Sequence, residues 1–271
     1  MRELLKRSLT GIIYVFLLLA SVYLSNDAFD FLFLIFGITC IYEFKKLIRL
    51  QGYYIFIAFL GIWWVFIYLL GELPQQEILR NILLTGTLVV NILLCINLFK
   101  AKTPKYSNTQ KFLIALFYIG GGSIFLTMIP YKEHFFAKSL IIGVFVLIWV
   151  SDSFAYIVGR AIGKHKLFPS VSPKKTIEGF LGGLIFALIA AYLLSLSGKE
   201  LTSVQWLILA AVLVITGSIG DLIESKFKRL AGVKDSGAIL PGHGGLLDRL
   251  DSLIFAAPFA FLTLQIYNYV S

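Results

Sequence analysis

Apolar runs, each long enough to cross a hydrocarbon core of about 30 Å, recur from one end of this chain to the other. They cover Leu9–Ser25, Ala28–Tyr42, Tyr53–Leu70, Ile78–Phe99, Phe112–Ile129, Ser139–Val158, Ile177–Leu196, Val204–Ile223 and Leu250–Val270. With 58% apolar and only 14% charged residues, the chain carries about half the charge of an ordinary soluble domain. The surplus apolar surface requires lipid to cover it. The fold class read from this is an all-α polytopic membrane protein with about nine transmembrane helices. Ala28–Tyr42 is the weakest of them, being short and carrying Asp30; leaving it out would give eight.

The first run lacks a small-residue cleavage site and further runs follow at once, so it reads as a retained helix rather than a signal peptide. Cys40 and Cys95 both lie inside apolar runs, where small buried thiols are expected rather than a disulfide or a metal pair. The net charge of +9 would suit a nucleic-acid binder if it were clustered on one soluble face, but it is not. If the N-terminus lies inside and sides alternate, all but four of the 24 Lys and Arg residues fall on the inner side. The exceptions are Arg80, Lys132, Lys138 and Lys199. That asymmetry is the positive-inside pattern, and it places the N-terminus in the cytoplasm and the C-terminus on the opposite side.

Residues 1–130 read as apolar scaffold helices, facing lipid or another subunit. Residues 131–271 read as a catalytic membrane region, because ionisable residues and glycines appear there at and within span ends. Its two longest connections, within 159–176 and 224–249, both lie on the basic side. Function is expected on the inner face, built from these two connections. No internal repeat is evident, which disfavours transporters built from inverted repeats.

The segment SKFKRLAGVKDSGAILPGHGGLLDRLD, Ser225–Asp251, concentrates the chemistry. It sets Lys226, Lys228, Arg229, Lys234 and Arg249 beside Asp235, Asp248 and Asp251, with five glycines between them. A polyanionic substrate, a divalent cation and a closely approaching backbone would together call for this mixture. Asp221, with Glu224 and Ser225 at spacings of three and four, puts oxygen groups on one helix face. Asp248 and Asp251 repeat that geometry at the start of the last span, where one of them could equally serve as a helix cap. Asp221, Asp248 and Asp251 are therefore the candidate metal ligands, sharing one or two Mg²⁺ ions. Asp152, within WVSDSFAY, is a carboxylate at membrane depth and so a candidate site residue. Ser172, Lys174 and Lys175 in SPKKTIEG offer hydroxyl and charge just before a helix expected near Ile177. A dibasic pair there is also what topology or headgroup contact would produce. Gly244 and Gly245 permit close approach to an anion, and His243 is either a proton-transfer group or a turn residue. No nucleophilic constellation appears, and none is needed where a phosphate is itself the nucleophile.

This segment resembles the phosphatidate cytidylyltransferases, also called CDP-diglyceride synthases. The resemblance is carried by Ser225, Phe227, Lys228-Arg229, Lys234-Asp235, His243-Gly244-Gly245 and Asp248-Arg249-Leu250-Asp251. It extends upstream to SDSFAY…GR, SPKKTIEG and Gly220-Asp221, covering the C-terminal half; the N-terminal half matches only as generic apolar spans. It implies Mg²⁺-dependent conversion of CTP and phosphatidate to CDP-diacylglycerol and pyrophosphate, with Asp221 and Asp248 in the metal site. An additional monovalent cation is a further possibility. Lys228, Arg229, Lys234 and His243 are the expected catalytic bases and charge-neutralising groups. Ser172, Lys174, Lys175, Ser225, Lys226, Asp152, Arg249, Gly244 and Gly245 are the expected substrate contacts. Expected partners are CTP, phosphatidate, membrane lipid and a second copy in a homodimer, with no nucleic acid; the expected location is a bacterial plasma membrane. Two other readings stand beside it. A CTP-dependent polyprenol or lipid-alcohol kinase would need a base for a hydroxyl. A cation transporter would need neither the glycine-rich loop nor so many bases beside its acids.

Overall fold

The computed structural model describes residues 2–69, 75–100, 105–132, 135–197, 200–242 and 244–270, with side chains from residue 9 to residue 267. Among the described residues, each apolar run lies within a helical segment, overhanging it by at most one residue at either end. The order is α1 (Arg2–Leu24), α2 (Asn26–Leu47), α3 (Tyr54–Trp64, continued by a π-helical turn, Val65–Leu69) and α4 (Gln76–Leu98). There follow α5 (Asn108–Ile114) and α6 (Gly122–Met128), joined through a π-helical segment, Ala115–Gly121, into one rod. The chain ends with α7 (Lys138–Ile162), α8 (Ile177–Ser197), α9 (Ser203–Ala231) and α10 (Leu247–Val270). Among the described residues, six helices are long and apolar enough to cross a membrane: Gln76–Leu98, Asn108–Met128, Lys138–Ile162, Ile177–Ser197, Ser203–Ala231 and Leu247–Tyr267. Leu9–Leu24 and Tyr54–Leu69 are shorter apolar helices. The protein is a polytopic, almost wholly helical membrane protein.

Four short strands were not anticipated. β1 (Tyr131–Lys132) pairs antiparallel with β2 (Phe135–Phe136), and β3 (Lys166–Phe168) with β4 (Ser172–Thr176). Both are tight ribbons between helices, since a connection that must reverse direction at a membrane edge still has backbone groups to pair.

α10 is the central helix: 67% of its apolar window is buried, the highest share among the six. α9 lies along it closely because Gly217 and Gly220 face it; a Cβ on Gly220 would stand 2.5 Å from Cβ of Phe255. Likewise α7 and α8 meet along a small-residue seam, where Gly159 and Gly179 face each other and Gly183 faces the Ser151 carbonyl. Gly179 and Gly183 form the small-xxx-small spacing that lets membrane helices touch backbone to backbone.

The polar ends sort into two sets. At one end, Lys111 Nζ donates to Arg49 O at 3.3 Å, Lys226 Nζ reaches Lys100 O at 3.1 Å, and Arg229 Nε reaches Val171 O at 3.4 Å. At the other, Tyr131 OH donates to Asp30 Oδ2 at 2.7 Å and Lys132 pairs with Glu200 at 3.3 Å. Asp30 is thus buried with a partner inside a helix longer than the apolar run suggested. Burial and that hydrogen bond push the Tyr131 hydroxyl well above the usual phenol range. Both cysteines are free, with Cys40 buried.

Candidate active site

The β3–β4 hairpin and the end of α9 meet at the first of these ends. Thr176 caps α8 by accepting from Gly179 N at 3.1 Å. Glu178, in the first turn of α8, accepts from Lys164 N at 3.1 Å and from His165 N at 3.2 Å, and contacts His165 Nδ1 at 2.6 Å. These bonds fix the base of the hairpin, and the hairpin in turn aims Lys175 at Asp221 of α9, with which it forms an ion pair. Partial burial acts to lower the Lys175 pKa, but the Asp221 carboxylate outweighs it and raises the lysine above its usual value. Asp221 Oδ1 also accepts from Ser225 Oγ at 3.1 Å, one turn on.

These groups border a cavity of about 530 Å³ between α7, the hairpin, α8 and α9. Asp152, Arg160, Lys166, Lys174, Lys175 and Asp221 all line it. Its walls combine two carboxylates and four bases with Ala155, Leu167 and Phe180. A cavity lined by both apolar and cationic side chains suits an amphiphile with an anionic head. Ser172 stands apart at the hairpin tip, paired with Phe168.

A second cluster lies farther along α9. Asp221, Glu224 and Lys228 follow one another at helical spacing, so Glu224 stands about 5 Å along the helix axis from Asp221 and the two clusters adjoin. Lys228 bridges Glu224 and Asp248, reaching Asp248 Oδ1 at 2.6 Å. Asp248 Oδ2 accepts from Ser236 N at 2.9 Å, Ser236 Oγ at 3.0 Å and Gly245 N at 2.7 Å. Gly244 has φ +86° and lies against Asp248 Oδ2, a position no side chain would tolerate. Asp251 is buried one turn farther into α10, its Oδ1 taking Ser252 N at 2.7 Å.

Other residues expected at the site are placed elsewhere or hold structure. Lys226 donates to Asn97 O at 2.6 Å and Leu98 O at 3.1 Å as well as Lys100 O, closing the C-terminal end of α4. Arg229 links the hairpin turn to Val233 O, at 3.1 Å. Lys234 and Arg249 are exposed, and His243 lies outside the described residues. Among the described residues, no three His, Cys, Asp or Glu side chains converge as a metal cluster. Asp221, Glu224 and Asp248 instead each hold a lysine, and Asp251 a backbone donor. The donor set still fits a hard divalent cation. Glu224 is fully buried, only the Lys228 ammonium offsets its charge, and neither of its oxygens has a well-formed hydrogen bond.

Sequence reasoning missed Glu43, at the end of α2. It is buried and accepts from Leu247 N at 2.8 Å, Leu246 N at 3.2 Å and Ser236 Oγ at 3.2 Å. No local pattern could reveal partners so far along the chain.

The arrangement has the parts of an anion-transfer site at a membrane edge, and the sequence matches the cytidylyltransferase family over residues 5–267. The chain belongs to that family. A phosphatidate cytidylyltransferase of Staphylococcus saprophyticus is 45% identical to it over 148 residues, covering 54% of this chain and 55% of that protein. One from Staphylococcus haemolyticus is 40% identical over 191 residues, covering 69% of this chain and 72% of its own length. The first of these matches thus spans about half of each chain. The cavity-lining hairpin, α9 and nearly all of α10 lie within the matched residues.

Proposed function

We propose that the protein transfers the cytidylyl group of CTP to phosphatidate, giving CDP-diacylglycerol and pyrophosphate. The observation that carries this reading is the cavity in which Asp152 and Asp221 face Lys174, Lys175, Arg160 and Lys166 beside apolar walls. A phosphatidate phosphate oxygen attacks the α-phosphorus of CTP, and the bond from that phosphorus to the bridging oxygen of pyrophosphate breaks. Lys174, Lys175, Arg160 and Lys166 neutralise the CTP triphosphate and the phosphatidate phosphate and hold them in line. Asp221 keeps Lys175 charged and directed, while Asp152 faces the same space from α7. Asp248, Asp251 and Glu224, with Asp221, are the residues that would hold Mg²⁺; bound there, the ion supplies charge neutralisation at the reacting phosphates. Lys228 balances the buried acids, and Ser236 and Gly245 fix the direction of Asp248. The exposed Lys234, in the loop before α10, and Arg249, in its first turn, form the rim through which nucleotide enters.

The same reading places about nine helices across a bacterial plasma membrane, with the basic end and the active site in the cytoplasm. It is supported by the gathering of Arg49, Lys100, Lys111, Lys175 and Arg229 at one polar end. Helices of the first half form the scaffold, and their exposed apolar faces are open to lipid or to a second copy in a homodimer. The direct test supplies purified protein with phosphatidate, labelled CTP and Mg²⁺. A CDP-lipid product is expected; its absence, with a labelled lipid monophosphate formed instead from γ-labelled CTP and an added polyprenol, would favour a lipid kinase. Ion flux in proteoliposomes without nucleotide turnover would favour a transporter.

A further inference from the structure

We infer that Glu43 is a positioning residue that sets the direction of the Asp248 carboxylate, an inference that rests on the proposed nucleotidyl transfer. Glu43 sits at the end of α2, only 1% exposed, so it touches no substrate. Its carboxylate takes the first backbone N–H groups of α10, from Leu246 and Leu247, and so caps that helix from a distant part of the chain. It also faces Ser236 Oγ, which stands between Glu43 Oε2 at 3.2 Å and Asp248 Oδ2 at 3.0 Å. Two glycines make this approach feasible. A Cβ on either Gly237 or Gly245 would overlap the Glu43 carboxylate. Glu43 therefore holds both ends of the 236–247 loop at once.

The consequence falls on Asp248. Its Oδ2 is fixed by Ser236 N, Ser236 Oγ and Gly245 N, the same residues that close around Glu43. Only Oδ1 is then turned to a cation, which is Lys228 in this structure. Removing the Glu43 charge frees the loop, lets Asp248 rotate and weakens its single outward oxygen as a ligand. Residues that orient a metal ligand in this way typically change affinity or activity by about 10–100-fold when replaced.

The test compares full-length wild type and Glu43→Gln in lipid nanodiscs, reading CDP-lipid formation against Mg²⁺ and, independently of turnover, Mn²⁺ affinity by EPR. The half-saturating Mg²⁺ and the Mn²⁺ Kd should each rise roughly 10-fold or more, with the KM for phosphatidate unchanged. Coupling should be strong with Ser236→Ala and absent with Lys175→Met, which lies at the other cluster. A folded Glu43→Gln protein with wild-type metal dependence by both readouts would overturn the inference, as would additivity with Ser236→Ala. Gly237→Ala, which wedges the loop while leaving every charge in place, should give the same metal shift and decides the matter if Glu43→Gln does not fold. A wild type that makes no CDP-lipid sinks the proposed function. A wild type that does, with Glu43→Gln and Gly237→Ala indistinguishable from it, sinks only this inference.

Discussion

Two lysine–carboxylate clusters on α9 use the same chemistry in opposite surroundings. Lys175 and Asp221 remain 31% and 29% exposed and border the cavity. Lys228, Glu224 and Asp248 retain 11%, 0% and 7%. An ion pair of the first kind contributes about 0–1 kcal/mol to stability, because water and salt screen it. Breaking one of the second kind costs about 3–5 kcal/mol, because the remaining charge is left buried. The first cluster is therefore free to exchange its internal partner for a substrate or an ion. The second is a fixed base that holds α9, α10 and the loop between them in register. On the proposed reading the two roles are complementary: one cluster gives way to substrate, and one holds the frame.

Substitutions at the two acids should test that contrast with the largest effect. Asp221→Asn and Asp248→Asn should each lower turnover by roughly 10²–10³-fold, and thermal unfolding in detergent should separate them. Asp248→Asn should unfold at a clearly lower temperature, while Asp221→Asn stays near wild type. Equal Tm losses would erase the distinction between the clusters.

The lysines should sharpen it further. Lys228→Met leaves Glu224 and Asp248 unpaired and should cost about 3–5 kcal/mol, visible as loss of folded protein by size exclusion. Lys175→Met should cost about 1 kcal/mol or less and appear chiefly as a raised KM. Because the pKa of Lys175 is raised, its contribution is fully present below the ordinary lysine value of about 10.4 and lost only as pH climbs through the higher folded value. Wild-type rate profiles should accordingly show no limb from this residue between pH 7 and pH 10. The smallest effect belongs to Lys226→Met, which removes the cap on α4: a Tm lower by a few degrees, with steady-state constants within about twofold of wild type. A large rise in its KM would return Lys226 to the substrate.

The polytopic helical architecture was legible because lipid demands long apolar runs, though among the described residues six helices, not nine, are long and apolar enough to cross a membrane. The start of α8 at Ile177 was also legible, from the SPKKTIEG segment. The division of labour among the bases was not. Lys226, Lys228 and Arg229 look alike in sequence, yet their helical phase sends one to α4, one between two buried acids and one to the hairpin turn. Glu43 was invisible for a different reason. In IYEFKKL it reads as an interfacial charge, and its partners lie about 200 residues away. The short hairpin was missed because two or three paired residues leave no periodicity to detect.

The central claim is that both clusters serve one cation-dependent site. Mn²⁺ binding by EPR in the presence of CTP, measured on wild type, Asp221→Asn and Asp248→Asn, addresses it most directly. Both variants should lose affinity together, by 10-fold or more. Wild-type affinity in either one would remove its cluster from the site and contradict the account.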